Sequence, residues 1–199
     1  MTRADVRSVF AGLRPLAAPK DANEKTKEIS RSHKIIVSPS ELVTIAGGKW
    51  TTYRKMALDT INKIITLKKL PPASCKTATL KIHGANGLID VANHLYIYGT
   101  DKKSIEQLYE EDSSLKELLH PRLPYTKAEV VFAVRNEMAR TLEDVLARRV
   151  RVLFLDARAA IEMAEVVAQI IGRELHKDKE WEAAQVASFK VLAQQYVLK

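Results

Sequence analysis

The sequence predicts a mainly helical protein, in which a bundle of five or six helices follows a partial α/β segment of two or three strands and one helix. Apolar residues recur at helical spacing along 157–175 and 180–197, and this spacing is typical of helices that pack on a core. Short β-rich runs stand near the N-terminus, at 34–37 and 42–46. The consecutive prolines Pro71-Pro72 separate the two patterns, because proline ends a helix.

The first part of the chain carries the strand patterns and one helix. The connection Ser38-Pro39-Ser40-Glu41 is rich in turn-forming residues, so we expect the two runs to form a hairpin or two strands of one sheet. Apolar side chains then recur at helical spacing over residues 50–68, which predicts an amphipathic helix whose apolar face packs in a core. These apolar positions are Trp50, Tyr53, Ala57, Ile61 and Ile64.

The second part is expected to be helical throughout after a linker that runs to about residue 80. The pairs Ser114/Glu117 and Thr126/Glu129 have the spacing of capping boxes, which mark helix starts. A bundle of roughly 120 residues can bury a core of its own, whereas the first 70 or so residues are too few.

Composition narrows the classes of function. No uncharged apolar run approaches the ~18 residues of a membrane-spanning helix, so any membrane association is expected to be peripheral. The single cysteine, Cys75, excludes an internal disulfide and fits a reducing compartment. No two of the five histidines have the i, i+4 spacing of a helical metal site, and no metal is expected.

The net charge of +8 is unevenly distributed. Residues 1–73 hold 14 Lys and Arg against 6 Asp and Glu, and residues 74–199 hold 18 of each. The whole surplus therefore lies in the first third of the chain. Such a basic region can indicate nucleic acid, anionic lipid or an anionic small molecule as the partner.

The most informative motif is Ala-Gly-Gly-Lys-Trp-Thr-Thr-Tyr-Arg at residues 46–54, at the transition from a strand to a helix. Adjacent glycines there allow the backbone to pass close to a bulky or flat group. Lys49 is predicted in the first helical turn, where the helix dipole disfavours a cation. A cation at that position indicates an anionic or electron-rich group nearby.

This motif resembles the C-terminal signature of FAD-dependent glycerol-3-phosphate dehydrogenases, and the resemblance covers nearly the whole chain. Two other segments agree in order and spacing: Ala-Gly-Leu-Arg-Pro-Leu at 11–16 and Ile-Ser-Arg-Ser-His at 29–33. Further matches to the helical domain of that family are at 126–130, 134–137 and 156–160. Enzymes of the family are longer and begin with a Gly-x-Gly-x-x-Gly unit that holds the FAD pyrophosphate. The seven glycines of this chain do not form that motif.

The resemblance therefore implies the C-terminal portion of such an enzyme. Residues 1–73 are expected to be the end of the FAD-binding and substrate domain, and residues 74–199 the all-helical C-terminal domain. By the same resemblance, Arg14, Arg31 and Lys49 bind substrate, and Gly47, Gly48, Lys49, Trp50 and Thr51 contact the FAD. No residue is assigned as catalytic base. The portion alone is expected to be inactive and to bind no FAD.

The implied reaction is the oxidation of sn-glycerol 3-phosphate to dihydroxyacetone phosphate, with electrons passed to a quinone. An oxidase that uses oxygen is the alternative within the family. The expected location is cytoplasmic, with peripheral membrane association and a homo-oligomer both left open. From another class, a basic helical module that binds nucleic acid or protein would explain the arginines at 148–151. Acidic neighbours at 143 and 144 favour a solvated or docking face there, and we expect no nucleic-acid partner.

Overall fold

The computed structural model describes residues 2–13, 32–85 and 90–198. The chain divides into two compact units: Met1–Ala11 together with Ile82–Lys199, and Gly12–Lys81. The first eleven residues thus belong with the helical unit rather than with the strands. The predicted division between residues 73 and 74 lies eight residues before the break between Lys81 and Ile82. As a domain boundary it stays a prediction.

The smaller unit contains the hairpin and one helix. Strands β1 (His33–Val37) and β2 (Val43–Gly47) pair antiparallel, with Ile35 opposite Ile45. A turn of 3-10 helix at Trp50–Thr52 follows, and it leads into α1 (Tyr53–Leu67). Both the hairpin and the helix of the sequence prediction are confirmed.

The expectation that the apolar face of α1 packs in a core is wrong for the described residues. No residue of α1 is buried, and Trp50, Tyr53 and Ile61 expose 87%, 57% and 54% of their surface. The physical reason is size, since a two-stranded hairpin offers too little apolar surface to cover a four-turn helix. The periodicity predicted the helix correctly but carried no information on what covers it.

The larger unit is a bundle of α-helices with connecting 3-10 and π turns, and the mainly helical fold class is confirmed. The α-helices are α2 (Lys102–Glu111), α3 (Lys127–Asn136), α4 (Val152–Leu155), α5 (Ala157–Glu174) and α6 (Lys179–Gln194). The connecting turns are 3-10 segments at His94–Asp101 and Ser113–Lys116 and a π-helical turn at Asp144–Arg149. Residues 82–85 and 90–93 contain no helix, so the prediction of helix throughout this region is wrong at its start.

The core of the larger unit lies around α5, which packs against α3, α4 and α6. Of the stripe predicted on this helix, Ile161 and Leu175 are only partly buried, and the other members are buried. The buried residues of α5 are Ala157, Ala159, Ala160, Met163, Ala164, Val167, Ala168, Ile170, Ile171 and Gly172. Small side chains on this stripe let neighbouring helices approach closely, and burial of their apolar surface drives the packing.

Of the two predicted capping boxes, one is confirmed. Thr126 caps α3, and the Glu129 carboxylate accepts a hydrogen bond from the Thr126 amide at 2.7 Å. The box at Ser114 is wrong, because Asp112 takes the cap instead and accepts from the Ser114 amide at 2.9 Å. In a capping box the Glu117 carboxylate would accept from the Ser114 amide, but that carboxylate pairs with the Lys127 ammonium instead.

Gly99 permits a close crossing of two backbone segments in the larger unit. Its φ of 56° and ψ of −123° lie in a region that residues with a side chain avoid. A Cβ at this position would stand 1.8 Å from the carbonyl oxygen of Gly84. The amide of Thr100 donates to that same oxygen at 3.1 Å, so the two segments are held together at a point where only glycine fits.

Asp144 is expected to stabilise the π-helical turn only while it is ionised. Burial opposes ionisation, but hydrogen bonds from the amides of Arg140 and Thr141, both at 3.0 Å, and the charge of Arg148 outweigh it. The pKa of Asp144 therefore lies below its ordinary value. A lowered folded pKa gives stability that is present above the unfolded pKa of about 3.9 and is lost as the pH falls through the folded value.

We expect Asp144→Asn to lower the free energy of unfolding by about 1–2 kcal/mol at pH 7. The difference from the parent chain should shrink as the pH falls through the lowered pKa of Asp144, because both side chains are then neutral. Urea unfolding followed by circular dichroism at pH 7 and at acidic pH measures both values. Glu110→Gln, on an exposed side chain 3.7 Å from Lys116, is the control, and an equal effect of the two variants would contradict the assignment.

Candidate functional site

The candidate site is the turn between β2 and α1, in the smaller unit. Gly47 and Gly48 have φ angles of 76° and 78°, a region that favours glycine. A Cβ at Gly48 would stand 2.6 Å from the sulfur of Met56 and 3.3 Å from the Cβ of His33. Part of the need for glycine is therefore internal, since the turn packs closely on α1 and on the start of β1.

Lys49 lies one residue before the helical turn, as its N-cap, rather than in the first turn as predicted. Its φ of −136° and ψ of 151° are extended. Thr52 holds this backbone from both sides: its hydroxyl accepts from the Lys49 amide at 3.2 Å and donates to the Lys49 carbonyl at 2.9 Å. The correction keeps the electrostatic argument, because an N-cap cation also stands at the positive end of the helix.

The side chain of Lys49 is exposed, and no described residue forms an ion pair with its ammonium or accepts a hydrogen bond from it. The amides of Trp50 and Thr51 begin the helical segment, where the helix itself supplies no acceptors for the first N–H groups. A cation and free amide donors therefore meet at one turn. Such a combination binds anionic or electron-rich groups.

Two aromatic rings adjoin this turn. The rings of Trp50 and Tyr53 lie 5.7 Å apart at an interplanar angle of 31°, and both are exposed to the degree given above. Further along α1, the Asp59 carboxylate accepts hydrogen bonds from Lys55 at 2.7 Å and from His33 at 3.0 Å. The hydrogen bond from Lys55 holds the pKa of Asp59 below its ordinary value, with His33 adding to the effect.

Of the predicted substrate-binding residues, the structure places Lys49 at this turn, together with the predicted FAD contacts Gly47, Gly48, Trp50 and Thr51. Arg14 and Arg31 lie outside the described residues. Sequence reasoning missed Thr52, because Lys49-x-x-Thr52 is not a capping motif: a lysine ammonium has no acceptor to offer at the N-cap. It also missed the pairing of His33 with Asp59, and 26 residues of separation leave no local signal for such a contact.

The arginines at 148–151 do not form a free basic patch. Arg148 donates to Glu143 at 2.6 Å and to Asp144 at 3.1 Å. Arg149 donates to the carbonyl oxygen of Glu137 and stands 3.4 Å from its carboxylate. The charges of Arg148 and Arg149 are thus compensated within the helical unit, whereas Arg151 is exposed, so at most one of these three arginines is left for a phosphate backbone.

Two kinds of feature are missing from the described part of the chain. None of its helices combines the length and the apolar character that crossing a bilayer requires. Across residues 2–13, 32–85 and 90–198, no group of three or more His, Cys, Asp or Glu side chains is arranged to hold a metal ion.

Known proteins share this sequence over most of its length. A chain named as a probable mitochondrial glycerol-3-phosphate dehydrogenase of Caenorhabditis elegans is 40% identical over 195 residues, which is 87% of this chain and 27% of that protein. The mitochondrial glycerol-3-phosphate dehydrogenase of Rattus norvegicus is 37% identical over 195 residues, 87% of this chain and 26% of its own. A probable counterpart in Dictyostelium discoideum is 34% identical over 190 residues, 84% of this chain and 30% of its own.

The chain thus spans between a quarter and a third of the length of these relatives. Residues 43–182 match the family model described as the C-terminal domain of alpha-glycerophosphate oxidase. The match begins at the first residue of β2 and ends within the first turn of α6. It therefore includes the glycine turn and helices α1 to α5. The resemblance seen in the sequence is confirmed, and the chain belongs to the family of the C-terminal domain of alpha-glycerophosphate oxidase.

Proposed function

We propose that this chain is the C-terminal part of an FAD-dependent enzyme that oxidises sn-glycerol 3-phosphate to dihydroxyacetone phosphate. The observation that carries the proposal is the turn at Gly47–Thr51, where a lysine and helix-start amides without partners among the described residues meet beside exposed aromatic rings. The printed names of the relatives, which are glycerol-3-phosphate dehydrogenases, support the same substrate.

The residues at the turn fit an FAD ring edge. Gly47 and Gly48 keep side chains away from the turn, and the amides of Trp50 and Thr51 offer donors to ring oxygens or nitrogens. When bound, FAD accepts the hydride that leaves C2 of the substrate. The chain's own residues supply position and charge, which is the usual contribution of a protein to a cofactor reaction.

Substrate binding requires neutralisation of a phosphate dianion. We propose that Lys49 supplies one of the cations, and that Arg14 and Arg31 supply the others on the basis of the sequence resemblance. Guanidinium groups suit this task because their planar donors match two phosphate oxygens at once. We assign no general base within the chain.

The names of the relatives support one electron acceptor and one location over the alternatives. We propose a quinone acceptor because the named relatives are dehydrogenases rather than oxidases, although the family model carries the name of an oxidase. The relatives are named as mitochondrial, which supports a mitochondrial rather than the expected cytoplasmic location. Peripheral membrane association and a homo-oligomer remain part of the proposal.

Arg14 provides the test of the proposed substrate site. In a full-length enzyme that carries this segment, Arg14→Ala should lower kcat/KM for glycerol 3-phosphate by about 30- to 1,000-fold, since a lost charge-assisted contact to a desolvated phosphate costs ~2–4 kcal/mol. Steady-state kinetics with an artificial electron acceptor measures this. Arg173 is an exposed arginine of α5, and Arg173→Ala should stay within about threefold. The proposal fails if Arg14→Ala keeps full activity.

A further inference from the structure

A cleft of about 460 Å³ in the larger unit brings three arginines together from distant parts of the chain. It is lined by Asp5, Arg7, Arg122, Asp156, Arg158 and Glu162. None of these residues is among those proposed above to bind substrate or FAD. The cleft has three cationic and three anionic side chains, so its binding properties depend on which of these groups are already engaged.

Arg7 reaches the cleft because the N-terminal segment 6–10 is fastened to the helical bundle. The carbonyl of Arg7 accepts from the Ala157 amide at 3.1 Å, and the Val9 amide donates to the Tyr196 carbonyl at 2.8 Å. The Ser8 hydroxyl donates to the Leu153 carbonyl at 2.8 Å. Phe10 packs edge-on against Phe154 at 5.1 Å. These contacts fix the backbone on both sides of Arg7, so its side chain has a defined origin.

The three carboxylates of the cleft are all engaged within the protein. Asp5 accepts from the amide and the hydroxyl of Thr2 at 2.6 and 3.1 Å. Asp156 caps α5 by accepting from the Ala159 amide at 3.0 Å. Glu162 stands 2.7 Å from Nε2 of the buried His120. Because Nδ1 of His120 accepts from the Arg122 amide, Nε2 carries the proton and donates to Glu162.

The three guanidinium groups, in contrast, keep most of their donors free. No described residue accepts a hydrogen bond from the Arg7 side chain or pairs with its charge. Arg158 makes one hydrogen bond, to the Val6 carbonyl at 3.3 Å. Arg122 stands 3.5 Å from the Asp156 carboxylate. Each guanidinium has five N–H donors in a fixed fork, so all three arginines keep donors for an added anion, although Asp5 and Glu162 each use only one carboxylate oxygen in the hydrogen bonds above.

We propose that the Arg7/Arg122/Arg158 cleft binds a phosphate group, carried either by a small solute or by a lipid headgroup. Phosphate suits the site because its oxygens accept paired N–H donors from guanidinium forks, and arginine is the residue that proteins use for such recognition. The three carboxylates offset the three guanidinium charges in the cleft, so we expect the paired N–H donors, and not a large net charge, to bind the phosphate, and the affinity to be modest. The residues of the site belong to the helical unit, whereas Lys49 and its turn belong to the smaller unit.

The test is a titration of the 199-residue chain with inorganic phosphate, followed by NMR of the arginine Nε–Hε groups and the backbone amides. We expect saturable shifts at Arg7, Arg122 and Arg158 with a dissociation constant on the order of 1–10 mM, as for a small ligand held by few contacts. The double variant R7Q/R158Q should bind at least about tenfold more weakly. R148Q, which removes an arginine paired with Glu143, should bind as the parent chain does.

Two further measurements keep the result unambiguous. Arg7→Ala removes a side chain without a partner among the described residues, so circular dichroism should show an unchanged fold while phosphate binding weakens. Lys49→Ala should leave the arginine shifts intact, which separates this cleft from the proposed substrate site. The proposal is overturned if phosphate produces no saturable shift at the three arginines, or if R7Q/R158Q binds as tightly as R148Q.

Vesicles distinguish the two sources of phosphate. In sedimentation with phosphatidylcholine vesicles that contain phosphatidic acid, recruitment that is lost in R7Q/R158Q identifies a lipid headgroup. Binding of free phosphate without such recruitment identifies a soluble phosphate compound. Vesicles of phosphatidylcholine alone, whose phosphate is shielded by choline, are the control in both cases.

Discussion

Replacing Lys49 by alanine in a full-length enzyme that carries this segment should lower kcat/KM for glycerol 3-phosphate by about 30- to 1,000-fold. The expectation rests on the position of Lys49 at a helix start. Two hydrogen bonds with the Thr52 hydroxyl hold the backbone from which its side chain extends. No described residue neutralises this cation, so its charge is available to a ligand. Loss of such a contact inside a desolvated site costs ~2–4 kcal/mol.

Lys63 offers a matched control in the same unit. It is an exposed lysine on α1, and no described residue forms an ion pair with it. Lys63→Ala should change kcat/KM by less than about threefold. Measurement of kcat and KM separately adds information, because an ammonium that only anchors the phosphate raises KM when it is removed. Equal effects of the two substitutions would remove Lys49 from the site.

The sequence predicted the elements around Lys49 well because their signals are local. A hairpin with turn residues, adjacent glycines and an apolar period of 3.6 each occupy fewer than twenty residues. The cover of α1 was not predictable in this way, since the helical period shows which face is apolar but not what lies against it. Trp50 and Ile61 are exposed, so the apolar period predicted the helix but not the burial of its face.

Competing neighbours and contacts between distant residues explain the other differences. The capping signal at Thr126 and Glu129 was readable because both partners lie within one turn. The equally spaced pair at Ser114 failed because Asp112 competes for the same amide, which shows that a capping motif must be judged against its upstream neighbours. The arginine cleft was invisible, since Arg7 and Arg158 stand about 150 positions apart and only the fold of the strand-like N-terminus brings them together.

Glu129 lies at the centre of the most buried polar network of the larger unit. Its side chain is fully buried, with 0% exposure. The carboxylate accepts from the Thr126 amide at 2.7 Å, from the Tyr98 hydroxyl at 3.1 Å and from His94 at 3.1 Å. Burial raises the pKa of the Tyr98 phenol, and the nearby Glu129 raises it further, so Tyr98 remains a donor at all accessible pH values. The network joins the start of α3 to the 3-10 segment His94–Asp101.

We expect Glu129→Ala to lower the free energy of unfolding of the chain by about 3–5 kcal/mol, because the substitution leaves one buried donor, the Thr126 amide, and two partly buried donors, Tyr98 and His94, without their acceptor. The melting temperature should fall by roughly 6–20 °C at this chain length. The stability of Glu129→Gln should lie between those of the parent chain and Glu129→Ala, since an amide keeps one acceptor oxygen but presents N–H donors to groups that themselves donate.

Glu165→Ala is the control, because it removes only an exposed ion pair with Lys190 of 3.0 Å, and it should cost less than ~1 kcal/mol. Thermal unfolding followed by circular dichroism ranks the three variants, and a loss for Glu129→Ala no larger than that for Glu165→Ala would show that the network contributes little to the stability of the bundle.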